Sequence, residues 1–151
     1  MSNLKNILGY KKALLPKSAV CVVLLDEQGK TLAVSRRGNP ALFGFPGGKV
    51  DPGEFNLEAV VRETIEEVGI ELEAELLEPL YSGLCPGKGP EDTYWVTTYL
   101  YKAAVDSSRT TRLEEGLSVA WLNPLDLCLA DTSPFYRYNR RVLEALDNYQ
   151  G

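Results

Sequence analysis

Short apolar, β-branched runs separated by turn residues mark the first part of the chain. Residues 18–25 read SAVCVVLL and residues 31–35 read TLAVS, and a polar turn lies between them. This pattern predicts a β-hairpin. The segment 36–55 that follows reads RRGNPALFGFPGGKVDPGEF and is rich in Gly and Pro. It predicts a loop without regular structure, in which backbone groups can come close to a ligand.

The segment 57–68 carries the clearest helical pattern of the chain. Asn56 is typical of a helix N-cap, and Gly69 is typical of the position just after a helix ends. One face of this helix is apolar and is expected to be buried: Leu57, Val61, Thr64, Ile65 and Val68. The opposite face is ionic: Arg62, Glu63, Glu66 and Glu67.

The second half of the chain predicts strands around 74–80, 93–105 and 118–122, followed by a second helix. Ser133 and Pro134 are typical of a helix start. The buried stripe of this helix is expected to be Phe135, Tyr138, Val142, Leu143 and Leu146. The order of elements predicts an α/β fold, with a mixed sheet covered by helices on both faces. No repeat or linker divides the sequence, so residues 1–151 are predicted to form one domain.

Composition and charge exclude several classes of function. The chain has 151 residues, of which 44% are apolar and 25% charged, as in an ordinary globular domain. Its formal net charge of -5 disfavours a groove for long nucleic acid. No apolar run approaches the roughly 20 residues of a membrane-spanning helix, and we expect no signal peptide or membrane anchor. Because the chain has no His, Ser-His-Asp and Cys-His mechanisms and His-ligated zinc are excluded.

The three cysteines are widely spaced, at Cys21, Cys85 and Cys128. An odd number of separated cysteines, two of them in apolar runs, is typical of reduced and packed thiols. We therefore expect a cytoplasmic protein.

Three acids of the first predicted helix crowd together, because Glu63, Glu66 and Glu67 are separated by three and four residues. Like charges at this spacing cost about 0.2 to 0.5 kcal/mol per pair. One interpretation is a solvated helix face on which Arg62 offsets part of the repulsion. The other is a site for hard divalent cations, which take oxygen ligands. The preceding turn-rich segment favours the second interpretation, because it can bring a main-chain carbonyl of the Gly47-Gly48 pair to the same cation.

The segment from Gly48 to Ile70 reads GKVDPGEFNLEAVVRETIEEVGI and resembles the Nudix box. All seven fixed positions of that motif are present: Gly48, Glu54, Arg62, Glu63, Glu66, Glu67 and Gly69. Thr64 departs from the motif, which has an aliphatic residue there, but Thr is isosteric with Val. Upstream, SRRGNPALFGFPGGK is similar to the approach to the box in MutT-type members. The order of elements is also similar to the Nudix α/β/α sandwich, which has a mixed β-sheet between helices.

The resemblance implies a hydrolase that cleaves a nucleoside diphosphate linked to another moiety. Water attacks phosphorus, with Mg²⁺ or Mn²⁺ bound on the box helix. Glu66 and Glu67 are the implied principal metal ligands, and the Gly47 carbonyl assists. Glu63 is a further ligand or orients the water. Cations between these carboxylates and a diphosphate would also stabilise the attacking and leaving oxygens.

The resemblance leaves the general base open between Glu63 and a later loop acid. Glu115, in the loop TTRLEEG, lies six residues before Trp121 and matches a late acid of MutT-type members. Glu114 is its neighbour and rival. Arg62 is implied to pair with acids such as Glu54 and so to fix the helix face.

Substrate contacts are expected near the second strand and the turn-rich segment. Arg37 matches a MutT-type phosphate contact, and its planar guanidinium suits that role. Arg36 is also a candidate for substrate binding, although it would point the other way if the strand alternates. Lys49 is a second candidate for phosphate, and Phe45 and Tyr136 are candidates to stack on a base.

The choice of substrate rests on mixed features. The MutT-like features favour a (deoxy)nucleoside triphosphate, including one with a damaged base, cleaved to the monophosphate and pyrophosphate. Pro86 lies near the proline that marks ADP-ribose hydrolases, so ADP-ribose or a nucleotide sugar is the alternative.

Other classes of function fit less well. A nucleotide-sensing domain without turnover usually has eroded box carboxylates, and here none is eroded. Isomerisation of isoprenoid diphosphates is disfavoured by the lack of His, and RNA decapping by the acidic balance. Dimers are common in the family, and the residues leave open whether this chain is a monomer or a homodimer.

Overall fold

The computed structural model describes residues 17–36, 39–87, 90–109, 115–128 and 134–149. Within them lie seven strands and two α-helices. The strands are β1 (Lys17–Val23), β2 (Thr31–Arg36), β3 (Asn39–Gly44), β4 (Gly47–Lys49), β5 (Leu77–Cys85), β6 (Tyr94–Tyr101) and β7 (Val119–Leu122). The helices are α1 (Asn56–Val68) and α2 (Pro134–Asp147).

The strands form two sheets. The larger sheet has the order β4-β1-β6-β5, and the smaller has the order β3-β2-β7. β1 and β6 run parallel, whereas the other neighbouring strands are antiparallel. The larger sheet is therefore mixed, as predicted.

The central strand β1 separates two hydrophobic clusters because its successive side chains point to opposite faces of the sheet. Val20 and Val22 pack in a cluster with Val60 of α1. Val23 packs in the other cluster with Val142 of α2. The sheet thus lies between the two helices, and the predicted α/β/α sandwich is confirmed.

The turn-rich segment is more regular than predicted. It contains β3 and β4, so the prediction of a loop without regular structure over 36–55 was wrong. Glycine makes β4 possible, because a Cβ on Gly47 would collide with the carbonyl oxygen of Val20 on β1. The same residues that break elements elsewhere therefore let this strand lie close to its neighbour.

Helix α1 has nearly the predicted bounds. The N-cap position is Phe55 rather than Asn56, and the Glu58 carboxylate accepts a hydrogen bond from the Phe55 N–H at 2.9 Å. Gly69 ends the helix in a left-handed conformation with φ 71°, as predicted.

The buried face of α1 differs from the prediction. Leu57 and Ile65 are 40% and 46% exposed, whereas Ala59 and Val60 are buried together with the predicted Thr64 and Val68. The helix is turned so that part of its ionic face lies against β4. The Thr64 hydroxyl donates to the Val60 carbonyl at 2.7 Å, which satisfies this buried polar group.

Two later predictions needed adjustment. The strand predicted at 74–80 begins as a short 3-10 turn, Ala74–Leu76, and then continues as β5 to Cys85. The strand predicted at 93–105 ends at Tyr101.

In α2, Tyr138, Val142 and Leu143 are buried as expected, whereas Phe135 and Leu146 are half-buried. In the part of the chain that the structure describes, neither helix combines the length and apolar character needed to cross a bilayer.

Candidate active site

Arg62 is the centre of the ionic face of α1. Its Nε and Nη2 donate to the two Glu54 carboxylate oxygens at 2.8 and 2.9 Å. Nη2 also donates to the Lys49 carbonyl at 3.0 Å, and Nη1 donates to Glu63 at 3.0 Å and to Glu66 at 3.2 Å. One guanidinium therefore ties the start of the box to the acids of the helix, including the expected pairing with Glu54.

This network shifts two pKa values. The side-chain hydrogen bonds from Arg62, with a further one from the Asp51 N–H, lower the pKa of Glu54 to about 2. The hydrogen bonds to Glu54 and Glu63 raise the pKa of Arg62 above its ordinary range. Both groups stay charged at neutral pH.

Two of the acids lie against β4. Glu67 accepts a hydrogen bond from the Gly47 N–H at 2.7 Å. The Glu63 carboxylate lies where a Cβ on Gly48 would stand, so any other residue at this position would require the Glu63 side chain to move. The Glu63 side chain is 15% exposed, whereas that of Glu66 is 49% exposed. Glu63 and Glu67 are thus held inward and Glu66 lies at the solvent edge.

A cleft of about 660 Å³ opens where strands of both sheets face α2. It brings together five of the predicted site residues: Arg36, Phe45, Gly47, Lys49 and Glu67. Residues not predicted as site residues also line it, among them Cys21, Cys85, Tyr94, Phe135 and Asn139. Phe135 was expected only in the buried stripe of its helix, and no local signal marked Asn139.

Two cations in the cleft lie over aromatic rings. The Arg36 guanidinium lies 4.2 Å from the centroid of the Phe135 ring, and the Lys49 ammonium lies 5.7 Å from that of Tyr94. Gly44 backs the Phe135 ring, because a Cβ there would collide with it. Strand alternation predicted that Arg36 points the other way from Arg37; Arg36 lines the cleft, and Arg37 lies outside the described residues. The pairing of β2 with β3 shifts register between Ser35 and Arg36, which breaks the alternation.

Other predicted residues lie elsewhere. Glu66 lines a shallow groove on the outer side of α1, with Leu57 and Ile65. Glu115 is exposed in the turn before β7 and is not among the described residues that line the cleft. Tyr136 is buried. Arg37 and Glu114 lie outside the described residues.

The cysteines are free thiols, as expected. Burial, and to a smaller extent the nearby Glu67 carboxylate, raises the pKa of Cys21 to about 12. Burial also raises the pKa of Cys85. Because the thiolate is the nucleophilic form, neither group is activated for attack at neutral pH.

The acids of α1 have the donor chemistry that a hard divalent cation takes, namely carboxylate oxygens next to backbone groups of β4. The close approach of Glu63 to Gly48 and of Glu67 to Gly47 places two of them beside the cleft. No three acidic or Cys side chains of the described segments are grouped closely enough to hold an ion. Glu63 and Glu66 instead share one Arg62 nitrogen as their ion-pair partner.

Known proteins resemble this chain in sequence and in fold. A putative 8-oxo-dGTP diphosphatase of Bacillus subtilis (strain 168) is 50% identical over 48 residues, 32% of each chain. An ADP-ribose pyrophosphatase of Methanocaldococcus jannaschii is 37% identical over 83 residues, 54% of this chain and 47% of the relative. The matches thus span about a third and about half of these curated relatives.

Among solved structures, a MutT NUDIX hydrolase from Burkholderia pseudomallei superposes with a TM-score of 0.69 at 26% identity, over 87% of this chain and 98% of the other. The family model described as NUDIX domain matches residues 15–146. Proteins of this family generally use divalent metal ions. With the box, the sandwich and this match in agreement, the chain belongs to the Nudix family.

Proposed function

We propose that this chain is a metal-dependent pyrophosphohydrolase that cleaves a nucleoside diphosphate linked to another moiety. The proposed substrate is a (deoxy)nucleoside triphosphate, including one with a damaged base, and the products are the monophosphate and pyrophosphate. The observation that carries this proposal is the cleft, where the Glu67 carboxylate faces the same space as the cations of Arg36 and Lys49. Carboxylates at one end and cations along the walls suit a substrate that is both metal-bound and anionic.

Glu63, Glu66 and Glu67 are the proposed ligands of Mg²⁺ or Mn²⁺, with the Gly47 carbonyl. When bound, the cation neutralises phosphate charge and stabilises the developing charge on the reacting oxygens. The Gly47 N–H orients the Glu67 carboxylate through its hydrogen bond. Arg62 keeps the helix acids in place through its contacts with Glu54 and Glu63.

The cleft residues bind and orient the nucleotide in this proposal. Arg36 and Lys49 contact the phosphates, and Phe45 contacts the base. A water oxygen forms a new bond to phosphorus while the bridging P–O bond of the anhydride breaks, and pyrophosphate leaves. The water proton passes to a carboxylate, and the choice between Glu63 and Glu115 stays open.

We also propose a single domain over residues 1–151 and a cytoplasmic location. The first is supported by the sharing of β1 between both hydrophobic clusters. The second is supported by the free thiols, which are typical of a reducing compartment.

The direct test is phosphate release from a panel of nucleotides with Mg²⁺ or Mn²⁺. Nucleoside triphosphates and oxidised-base nucleotides are assayed with added pyrophosphatase, and ADP-ribose and nucleotide sugars with added phosphatase. Glu67→Gln is expected to lower kcat roughly 100-fold or more, because it removes a charged ligand. Glu71→Gln, at an exposed acid just after the box, is the matched control. Retention of activity within tenfold in Glu67→Gln would contradict the proposal.

ADP-ribose or a nucleotide sugar is the second candidate, favoured by Pro86 in the cleft wall and by the ADP-ribose pyrophosphatase of Methanocaldococcus jannaschii. A tenfold lead in kcat/KM, about 1.4 kcal/mol of discrimination, decides between the two classes. If no compound is hydrolysed while a nucleotide raises the Tm, a sensing domain replaces the enzyme proposal, because only binding to the folded state is then seen.

A further inference from the structure

Part of the apolar face of α1 is open to solvent. Leu57, Val61 and Ile65 line a groove of about 550 Å³ on the outer side of this helix, which we call the outer groove. Leu57 and Ile65 are both exposed. Because the three residues follow one another at intervals of four, they form one continuous apolar stripe along the helix. Such a stripe is typical of a helix face that packs against another segment.

Acidic side chains surround this stripe. Glu58 and Glu66 line the outer groove beside it, and Ala74 lines the groove as well. Two exposed acids stand on either side of Ala74 in the sequence: Glu73 and Glu75. Arg62 is a cation among the lining residues, but it is already paired with acids of the box. An occupant of the outer groove is therefore expected to combine apolar side chains with positive charge.

A second copy of the chain does not have this chemistry. If two copies packed their stripes together about a two-fold axis, each helix would meet the same face of the other. Glu58 and Glu66 would then lie close to the same acids of the second copy, and like charges repel. The charge of the groove thus favours a basic segment over self-association.

The segment that precedes β1 has the chemistry that the outer groove requires. Residues 1–16 lie outside the described residues, and their sequence is MSNLKNILGYKKALLP. It contains three lysines, Lys5, Lys11 and Lys12, and no acid. Its aliphatic residues recur at intervals of three, four and seven, which is the spacing of one helix face: Leu4, Ile7, Leu8, Leu14 and Leu15.

The start of β1 also lies near the start of α1. The Val50 N–H donates to the Ser18 carbonyl at 3.0 Å. Asn56, the first residue of α1, follows Val50 by six residues, which span at most about 20 Å. The stripe from Leu57 to Ile65 is about 12 Å long, whereas sixteen residues span up to about 50 Å when extended. The segment is therefore long enough to reach the groove. Because it belongs to the same chain, its effective concentration is high and a weak contact is sufficient.

We propose that residues 1–16 dock in the outer groove of the same chain. The aliphatic side chains of the segment pack on the stripe of α1, and its lysines lie against the surrounding acids. Glu63 and Glu67 are not among the described residues that line this groove. Docking therefore secures the helix that carries the box acids without covering these two carboxylates. The proposal concerns an interaction surface and does not depend on the activity of the protein.

A double-mutant cycle in the full chain tests this contact. Ile7→Ser/Leu8→Ser weakens the segment, and Leu57→Ser/Ile65→Ser weakens the groove. We expect the segment substitutions to lower the Tm of the parent by about 4 °C or more, because they remove apolar side chains that docking buries. In the groove variant, the same substitutions are expected to lower the Tm by less than about 1 °C, since the contact is already lost. The cycle cancels the intrinsic cost of each substitution.

Leu125→Ser is the matched control, because Leu125 is an exposed leucine outside the outer groove. The segment substitutions should lower the Tm in this background as much as in the parent. Equal losses in the parent and in the groove variant would overturn the proposal, because they would place the segment elsewhere. An unchanged Tm in the parent would also overturn it, because the segment would then contribute nothing to the fold.

Zero-length cross-linking of the unsubstituted chain locates the contact directly. A carbodiimide joins a lysine amine to a carboxylate when the two groups are in contact, and mass spectrometry identifies the linked pair. We expect links in the monomer from the lysines of the segment to the acids around the outer groove: Glu58, Glu66, Glu73 and Glu75. Links from these lysines only to other acids would overturn the proposal. Links found only in a cross-linked dimer would overturn it too, because the segment would then bind another copy.

Discussion

A single arginine organises the charges of the Nudix box. Arg62 contacts Glu54 with two nitrogens and reaches Glu63 and Glu66 with the third. Lysine could not replace it, because an ammonium is a point charge without a planar fork. The contact with Glu54 bridges from the start of the box to its helix. The contribution of this ion pair to the stability of the fold depends on pH, because Glu54 loses its charge in acid.

The Glu54→Gln substitution tests this dependence. In the folded chain the pKa of Glu54 is about 2, against an ordinary value of 4.5, so Glu54 binds fewer protons when folded. Its contribution to stability is therefore complete above about pH 4.5 and is lost as the pH falls towards about 2. We expect Glu54→Gln to have a lower Tm than the parent at pH 7, and the two Tm values to converge in acid.

The measurement is Tm by circular dichroism between pH 2 and 7. Glu71→Gln, at an exposed acid, is the control and should follow the parent across the range. A Glu54→Gln curve parallel to that of the parent would show that the carboxylate does not stabilise the fold through its charge.

Predictions about single residues were confirmed where a local motif determines the conformation or the contact. The αL conformation of Gly69 follows from residue type and position, whereas the pairing of Arg62 with Glu54 was implied by the resemblance to the Nudix box. The placement of Arg36 followed from neither, because it depends on a register shift between two strands. Such a shift has no signature in the residues of one strand alone.

For helix α1, as for Arg36, the sequence predicts what depends on local residues and not what depends on contacts with other elements. Its bounds follow from local signals, and the sequence predicted them to within one residue at the start. Its buried face does not follow from local signals. The contacts of Glu63 and Glu67 with β4 turn the helix and leave Leu57 and Ile65 exposed. An amphipathic pattern assumes that charged residues face water, and a site for a charged ligand breaks that assumption.

Strand β4 was missed for a related reason. Its three residues, Gly47–Lys49, have low strand propensity, and only pairing with β1 makes them a strand. The candidate site could therefore be named from the motif, whereas its walls could not. Phe135 and Asn139 enter the cleft through the packing of α2 on the sheet, which is a property of the whole fold.

Helix α2 supplies the aromatic wall of the cleft, and Phe135→Leu tests that role. The Arg36 guanidinium lies over the ring of Phe135, and the ring packs against Gly44. Removing the ring removes the cation–π contact, worth about 0.5 to 2 kcal/mol, and leaves Arg36 less well positioned for phosphate. We expect KM for a nucleoside triphosphate to rise about twofold to thirtyfold, with kcat nearly unchanged.

Steady-state kinetics measure this effect. Phe135→Tyr keeps the ring and should retain the parent KM, which separates the stacking from general packing. If Phe135→Leu and Phe135→Tyr change KM equally, the ring does not position Arg36. A fall in kcat without a change in KM would place Phe135 in the chemistry instead.

The whole molecule combines two independent cores with a site at their common edge. Each helix packs on its own face of the larger sheet, and β1 contributes to both clusters. The acids of α1 approach the cleft from one side of the sheet, and the aromatic residues of α2 lie on the other. Since both clusters are apolar and Arg62 offsets the repulsion of the box acids, the chain should fold without a metal ion.

Removal of divalent metal tests this separation of folding from function. EDTA is expected to abolish hydrolysis while the far-UV circular dichroism stays unchanged. Mg²⁺ at ten times its Kd should stabilise the chain by roughly 1.4 kcal/mol. That corresponds to a rise in Tm of about 3 to 6 °C for a protein of this size.

Glu67→Gln should lose most of this rise, and Glu71→Gln should keep it. Some proteins fold only when metal is bound. Unfolding in EDTA would show that this chain is one of them and that the two hydrophobic clusters alone do not hold its fold. An unchanged rise in Glu67→Gln would place the cation away from this carboxylate.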